Sequence, residues 1–73
     1  KNFAGRPLKI KSSGQNVVYL QSRLKEKGII FDAADGRFGN MTELAVKYYQ
    51  AWHGLEPTGI ADEATYRSLG MIK

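Results

Sequence analysis

The sequence predicts an all-α fold: a small three-helix bundle with two related loop–helix halves and a short extended N-terminal segment. Three observations carry that prediction. Apolar residues recur at helical spacing in three stretches, each closed by a glycine, Gly28, Gly54 or Gly70. One phrase is stated twice: Gly36 precedes Thr42 by six residues as Gly59 precedes Thr65, with a helix breaker (Gly39) or helix capper (Asp62) three before each Thr. The strand-like alternation of Leu8 and Ile10 with Lys9 and Lys11 is too short for a sheet.

Residues 1–7 read as a linker or an end left by processing, and 8–73 as one domain. Pro7 removes a donor and biases Arg6 away from helix, so residues 8–11 are expected as an extended piece laid across a helical core. Ser13 is the expected N-cap of the first helix, with Asn16 at its third position. Val17, Leu20, Gln21 and Leu24 follow on one face, Lys25 and Lys27 suit the negative end of the dipole, and Gly28 stops the helix. Ile29, Ile30 and Phe31 lead into the loop D-A-A-D-G-R-F-G. A second helix starts near Asn40 or Met41, with Thr42, Ala45, Val46, Tyr49 and His53 on one face, and ends at Gly54. After L-E-P-T-G, Asp62 caps a third helix that carries Ala64, Tyr66 and Leu69 to Gly70. The echo therefore reads as a loop-to-helix device: a Gly turn, an apolar plug (Phe38, more weakly Ile60), a cap, and a Thr whose hydroxyl reaches back to the cap backbone.

Seventy-three residues leave little room for both a core and a deep catalytic cleft. The absence of cysteine excludes disulfides and thiolate metal sites. No apolar run approaches the ~18 residues a membrane helix needs. No signal peptide is visible, and any such segment is expected upstream of residue 1. The net charge of +4 is uneven. Residues 1–27 hold seven bases against Glu26 alone, and the remainder hold four bases against six acids. A basic N-terminal half favours a polyanionic partner, although solubility alone accounts for a charge this modest.

In order, the chain gives V-x-x-L-Q-x-x-L-x-x-x-G (Val17 to Gly28), D-G-x-F-G-x-x-T-x-x-A-V-x-x-Y-Q (Asp35 to Gln50), G-L (Gly54-Leu55) and T-G-x-x-D-x-x-T-x-x-x-L (Thr58 to Leu69). These motifs, over about residues 8–70, closely resemble the peptidoglycan-binding domain of the three-helix type, a module appended to bacterial and phage cell-wall hydrolases. The resemblance implies a non-catalytic bundle that binds murein, outside the cell or in its wall, as part of a secreted bacterial protein or phage lysin. It also implies that Leu20, Gln21, Gly36, Phe38, Thr42, Tyr49, Gln50, Gly59 and Thr65 are mainly framework. The chain departs from the family at Asn16, where an acid is usual, at Tyr49, where Phe is usual, and at Thr58-Gly59, where the second loop often reads Asp-Gly. The same fold also serves as a prodomain of secreted metalloproteases. Those carry a zinc-blocking Cys after the module, and this chain has none.

Several residues admit two readings. Gln21 and Gln50 lie in apolar stripes, and hydrogen bonding to loop backbone outweighs ligand binding for each. Asp32 and Asp35 flank a turn; local turn bonding outweighs a calcium site, which wants six or more oxygens. Asp62 and Glu63 are explained by capping and the helix dipole. His53, the only histidine, makes no zinc site without carboxylate help and sits better at a helix C-terminus. Serines 12, 13, 22 and 68 fall at caps or on helix surfaces, so catalysis by this chain is not expected, nor is a cofactor or a metal.

The anomaly is the second helix. Met41, Leu44, Tyr48 and Trp52 form a further apolar stripe, turned away from the face of Val46 and Tyr49. In the family it resembles, the positions of Leu44 and Tyr48 are commonly small or polar. The candidate binding residues are Asp35, Arg37, Asn40, Leu44, Tyr48, Trp52 and Arg67, with the two arginines placed to meet stem-peptide carboxylates. The expected partner is peptidoglycan, with anionic wall polymer as a further one, and no membrane or nucleic acid; a monomer is expected. The rival readings are a small basic three-helix DNA-binding domain, against which stand Asp62 and Glu63 at the start of the natural reading helix, and a protein-interaction or prodomain module using the second stripe.

Overall fold

A computed structural model describes residues 6–29 and 34–72. The expectations that rest on Ile30, Phe31 and Asp32 lie outside the described residues. Among these there are three helices, α1 (Gln15–Glu26), α2 (Asn40–Trp52) and α3 (Glu63–Leu69), and strand pairing only as isolated bridges. The all-α class and the three-helix count agree with the sequence. No helix of the described residues is long and apolar enough to cross a membrane.

The core is built from the stripes that periodicity marked. Val17, Leu20 and Leu24 of α1, Val46 and Tyr49 of α2, and Tyr66 and Leu69 of α3 are all fully buried. Phe38, Ala61 and Met71 close it from the loops. All three helices stop the same way. Beyond each terminal glycine the next residue's N–H bonds back five residues: Ile29 to the Leu24 carbonyl at 3.1 Å, Leu55 to Gln50 at 2.7 Å, Met71 to Tyr66 at 2.8 Å. An apolar residue just past the glycine accompanies each such turn, as this type of helix ending favours.

The N-terminal segment crosses both loops. Leu8 pairs antiparallel with Ala61 through two backbone bonds of 3.0 and 2.8 Å, and Ser13 pairs with Arg37. The Tyr66 hydroxyl donates to the Arg6 carbonyl and fastens the segment to α3; burial pushes this phenol up to about 12.

Five local expectations are corrected. Gly14, not Ser13, is the N-cap of α1, because Ser13 is taken up by its backbone bridge to Arg37. Asn16 accordingly becomes the second helical residue. Ile10 is exposed rather than half-buried, because a turn from Lys9 to Ser12, with Lys11 at φ 78, breaks the alternation after Leu8. Ala61, not Ile60, is the counterpart of Phe38: counted from Gly36 and Gly59 it holds the same place, and it is buried while Ile60 is exposed. His53 leaves the buried face of α2, is exposed, and serves as its C-cap. Ala64 is likewise exposed, so α3 buries Thr65, Tyr66 and Leu69.

Candidate functional site

Two buried amides set the position of α2. Gln21, on α1, accepts from the Gly36 N–H at 2.9 Å and donates to the Arg37 carbonyl and to Thr42 Oγ1, both at 3.0 Å. Gln50, on α2, accepts from the Gly59 N–H at 3.0 Å and donates to the Ile60 carbonyl at 2.9 Å and Thr65 Oγ1 at 3.0 Å. Each glutamine thus holds the loop that follows its own helix and the first turn of the next helix. No buried side-chain N or O among the described residues is left without a partner, as a buried polar network requires. The threonine hydroxyls do not reach the cap backbone. Thr42 Oγ1 donates to the Arg37 carbonyl at 3.4 Å, and Thr65 Oγ1 to the Asp62 carboxylate at 3.0 Å. They are the far ends of the amide clamps.

Gly36 and Gly59 have nearly the same backbone, φ 81 and 82, and both sit hard against the preceding helix. A Cβ on Gly36 would lie 3.0 Å from Val18 Cγ2 and 3.3 Å from the Gly14 carbonyl oxygen; on Gly59 it would lie 2.9 Å from Glu43 Cγ. The glycines are required by both dihedral and space.

With one face of α2 committed to both clamps, the opposite face is left outside. Met41, Leu44, Tyr48 and Trp52 are 67, 60, 64 and 62% exposed, against 0% for Val46 and Tyr49. The Tyr48 and Trp52 rings lie 5.9 Å apart between centroids, one turn after the other. His53 stands 5.5 Å from Trp52 and 4.1 Å from Tyr49, so the outer rings stack back onto the core. Tyr49 is anchored in turn by a 2.7 Å bond between its hydroxyl and Ser68 Oγ.

The remaining candidates fall in two places. Asp35, Arg37 and Asn40 are exposed in the loop and first residue leading into α2. Asp35 Oδ1 accepts from the Arg37 N–H at 2.9 Å and, more weakly, from Gln21 Nε2 at 3.4 Å. The backbone N–H of Arg37 is the main cause that lowers its pKa from the usual carboxylate value. Arg67 lies apart, on α3, where it forms an ion pair with Glu63 one turn earlier. Among the described residues, no three or more of His, Cys, Asp and Glu are grouped to hold a metal ion.

Sequence reasoning passed over Arg23. Its Nε and Nη2 donate to the Leu69 carbonyl at 2.9 and 2.7 Å, holding the end of α3 to α1. Spacing within α1 gives no signal for this, since the partner lies 46 residues away.

The described residues form a small three-helix scaffold with an exposed aromatic face on α2. Comparison with known proteins gives the family. Residues 13–69 match the family described as "Putative peptidoglycan binding domain", and the chain belongs to that family. It is 41% identical over 56 residues to the N-acetylmuramoyl-L-alanine amidase CwlM of Mycobacterium tuberculosis, covering 77% of this chain and 14% of that protein. It is 36% identical over 67 residues to a spore cortex-lytic enzyme of Bacillus cereus, covering 92% of this chain and 26% of that protein. The crystal structure of the SleB N-terminal domain superposes with a TM-score of 0.90 at 34% identity, covering 96% of both chains. The chain thus spans about a quarter or less of the two full-length relatives, and nearly all of the SleB domain.

Proposed function

We propose that this chain is a non-catalytic murein-binding module, residues 8–73, that holds an attached wall-acting enzyme on its polymer at the bacterial cell wall. The observation that carries the reading is the family match over residues 13–69. The two full-length relatives, an amidase and a cortex-lytic enzyme by name, supply the expectation that the attached part is a cell-wall hydrolase. Tethering acts by effective concentration: a module that rebinds before the enzyme diffuses away raises the local enzyme concentration without any new catalytic contact.

The recognition face we assign is the outer side of α2. Leu44, Tyr48 and Trp52 supply apolar area for sugar rings or the apolar parts of stem peptides. Arg37, in the loop leading into the same helix, supplies a cation for stem-peptide carboxylates, and Asp35 and Asn40 supply polar groups beside it. Arg67, engaged by Glu63, is a secondary contact. The basic N-terminal half adds attraction to anionic wall polymer, an interaction screened by salt. The module acts as a monomer.

The test is co-sedimentation of the chain with purified sacculi, with and without their anionic polymer, alongside retardation of duplex DNA. Retention on sacculi stripped of anionic polymer, without DNA retardation at physiological salt, is the expected result. No retention on sacculi, together with DNA binding that falls steeply with salt, overturns the reading in favour of a nucleic-acid-binding domain.

A further inference from the structure

Asp35–Gly36 is the one Asp–Gly or Asn–Gly pair in the chain. In a flexible peptide such a pair is chemically unstable. The backbone nitrogen after the aspartate attacks the side-chain carboxyl carbon, a carboxyl oxygen leaves as water, and a five-membered succinimide forms. Water then reopens the ring. Opening at the side-chain carbonyl restores aspartate; opening at the main-chain carbonyl gives an isoaspartyl linkage, with one extra methylene in the backbone. The water lost is regained, so the product has the mass of the starting chain and no oxidant or co-reactant is consumed. Glycine is the least hindered following residue because it has no side chain.

Here both reacting groups are tied by the same side chain. The attacking nitrogen, that of Gly36, donates its proton to Gln21 Oε1 at 2.9 Å in a buried bond. Attack requires that nitrogen to give up its proton, and this leaves the Gln21 oxygen facing a lone pair. The carboxyl of Asp35 is turned to the Arg37 N–H at 2.9 Å and touched by Gln21 Nε2 at 3.4 Å. These donors favour the ionised carboxylate, a poorer electrophile than the neutral acid. Asp35 itself is exposed to water while Gly36 is buried, so release of the amide is what separates the resting pair from a reactive one. The second half lacks the chemistry: Thr58 stands where Asp35 does and offers no carboxyl.

We propose that Asp35–Gly36 is a latent isomerisation site held closed by the Gln21 amide, so that isoaspartate forms there only when the clamp opens. The extra methylene displaces the Gly36 N–H and the Arg37 carbonyl from Gln21, and the conversion permanently disables the clamp that seats α2.

The test incubates the 73-residue chain at neutral pH and measures isoaspartate at position 35 over time by peptide mapping and by an isoaspartyl methyltransferase. In native buffer it should accumulate at least about tenfold more slowly than in denaturant, the ratio being set by the opening equilibrium. Gln21→Met, checked as folded by circular dichroism, should close most of that gap, while folded Gln50→Met raises the rate at Asp35 only as far as its lower overall stability predicts. Should Gln21→Met not fold, Thr58→Asp decides: the pair it creates under Gln50 must be held back as strongly as Asp35–Gly36 in the folded chain. Equal rates in native and denaturing buffer, a folded Gln21→Met no faster than wild type, or rapid isomerisation at position 58 in folded Thr58→Asp would each overturn the proposal.

Discussion

Gln21 and Gln50 make the same three contacts with different loops: a glycine N–H, the carbonyl one residue on, and a threonine hydroxyl six residues past the glycine. The loops between helix and glycine differ, since Gln21 lies 15 residues before Gly36 and Gln50 nine before Gly59. The helix caps differ as well. Asp62 bonds the Thr65 N–H at 3.1 Å, whereas Gly39 offers α2 no side-chain cap. What both halves share is therefore the means of seating a helix on the one before it, and what they do not share is free to serve something else. Helix α2 belongs to both clamps, as the seated helix of the first through Thr42 and the gripping helix of the second through Gln50. Its inner face has no freedom left, and its outer face carries the aromatics.

The comparison is broken most severely by removing an amide. Gln21→Leu or Gln50→Leu leaves a buried glycine N–H without its acceptor, at about 1–3 kcal/mol, and a loop carbonyl with only a longer threonine-hydroxyl bond, so each variant should lose about 2–4 kcal/mol in denaturant melts. Similar losses support equivalent clamps; a near-neutral change at either site means that loop is held by other contacts. A smaller and less symmetric effect is expected at the glycines. Gly36→Ala should cost about 2 kcal/mol, since alanine in the left-handed region is penalised and its Cβ meets the χ1-stiff Val18 and a backbone oxygen. Gly59→Ala should cost slightly less, about 1–2 kcal/mol, because its Cβ meets only side-chain atoms, of Glu43 and Lys47, and no backbone. The reverse order in melting temperature would show that the second loop is the more tightly packed. The threonine effects are comparable to that at Gly59. Thr65→Ala should cost about 1–2 kcal/mol and Thr42→Ala about 1, because only the former severs a strong bond to a capping carboxylate. Both should keep sacculus binding in the folded fraction, and loss of binding at full stability would make the threonines part of the recognition site.

Much of this architecture was legible in the sequence for reasons the structure makes plain. The stripes of Val17–Leu24 and Thr42–Gln50 follow from helical periodicity, and the outward turn of Tyr48 and Trp52 follows from the same arithmetic, since burying Tyr49 forces its neighbour out. The partners of Gln21 and Gln50 were not legible beyond a preference for loop backbone, because they lie on the far side of loops whose path no local pattern fixes. The cap of α1 was misplaced for a similar reason: Ser13 is a good capper by type, but its backbone is claimed by Arg37, 24 positions on. The plug was misassigned to Ile60 by weighing hydrophobicity over register. Counting from the glycine leads to Ala61, which pairs with Leu8 and is fully buried.

The account holds that α2 divides its work, with one face for the fold and the other for the wall. Adjacent tyrosines test that division. Tyr49→Ala, which empties a fully buried position, should lose about 3–5 kcal/mol. Tyr48→Ala, 64% exposed in the native chain, should stay within about 0.5 kcal/mol of wild type. The decisive measurement is the fraction of folded Tyr48→Ala that sediments with purified sacculi, beside wild type at equal concentration. The account predicts a melting curve unchanged and sedimentation reduced at least about tenfold in affinity, as for an aromatic anchor at the centre of an interface. Sedimentation equal to wild type, with the melting curve unchanged, would contradict it.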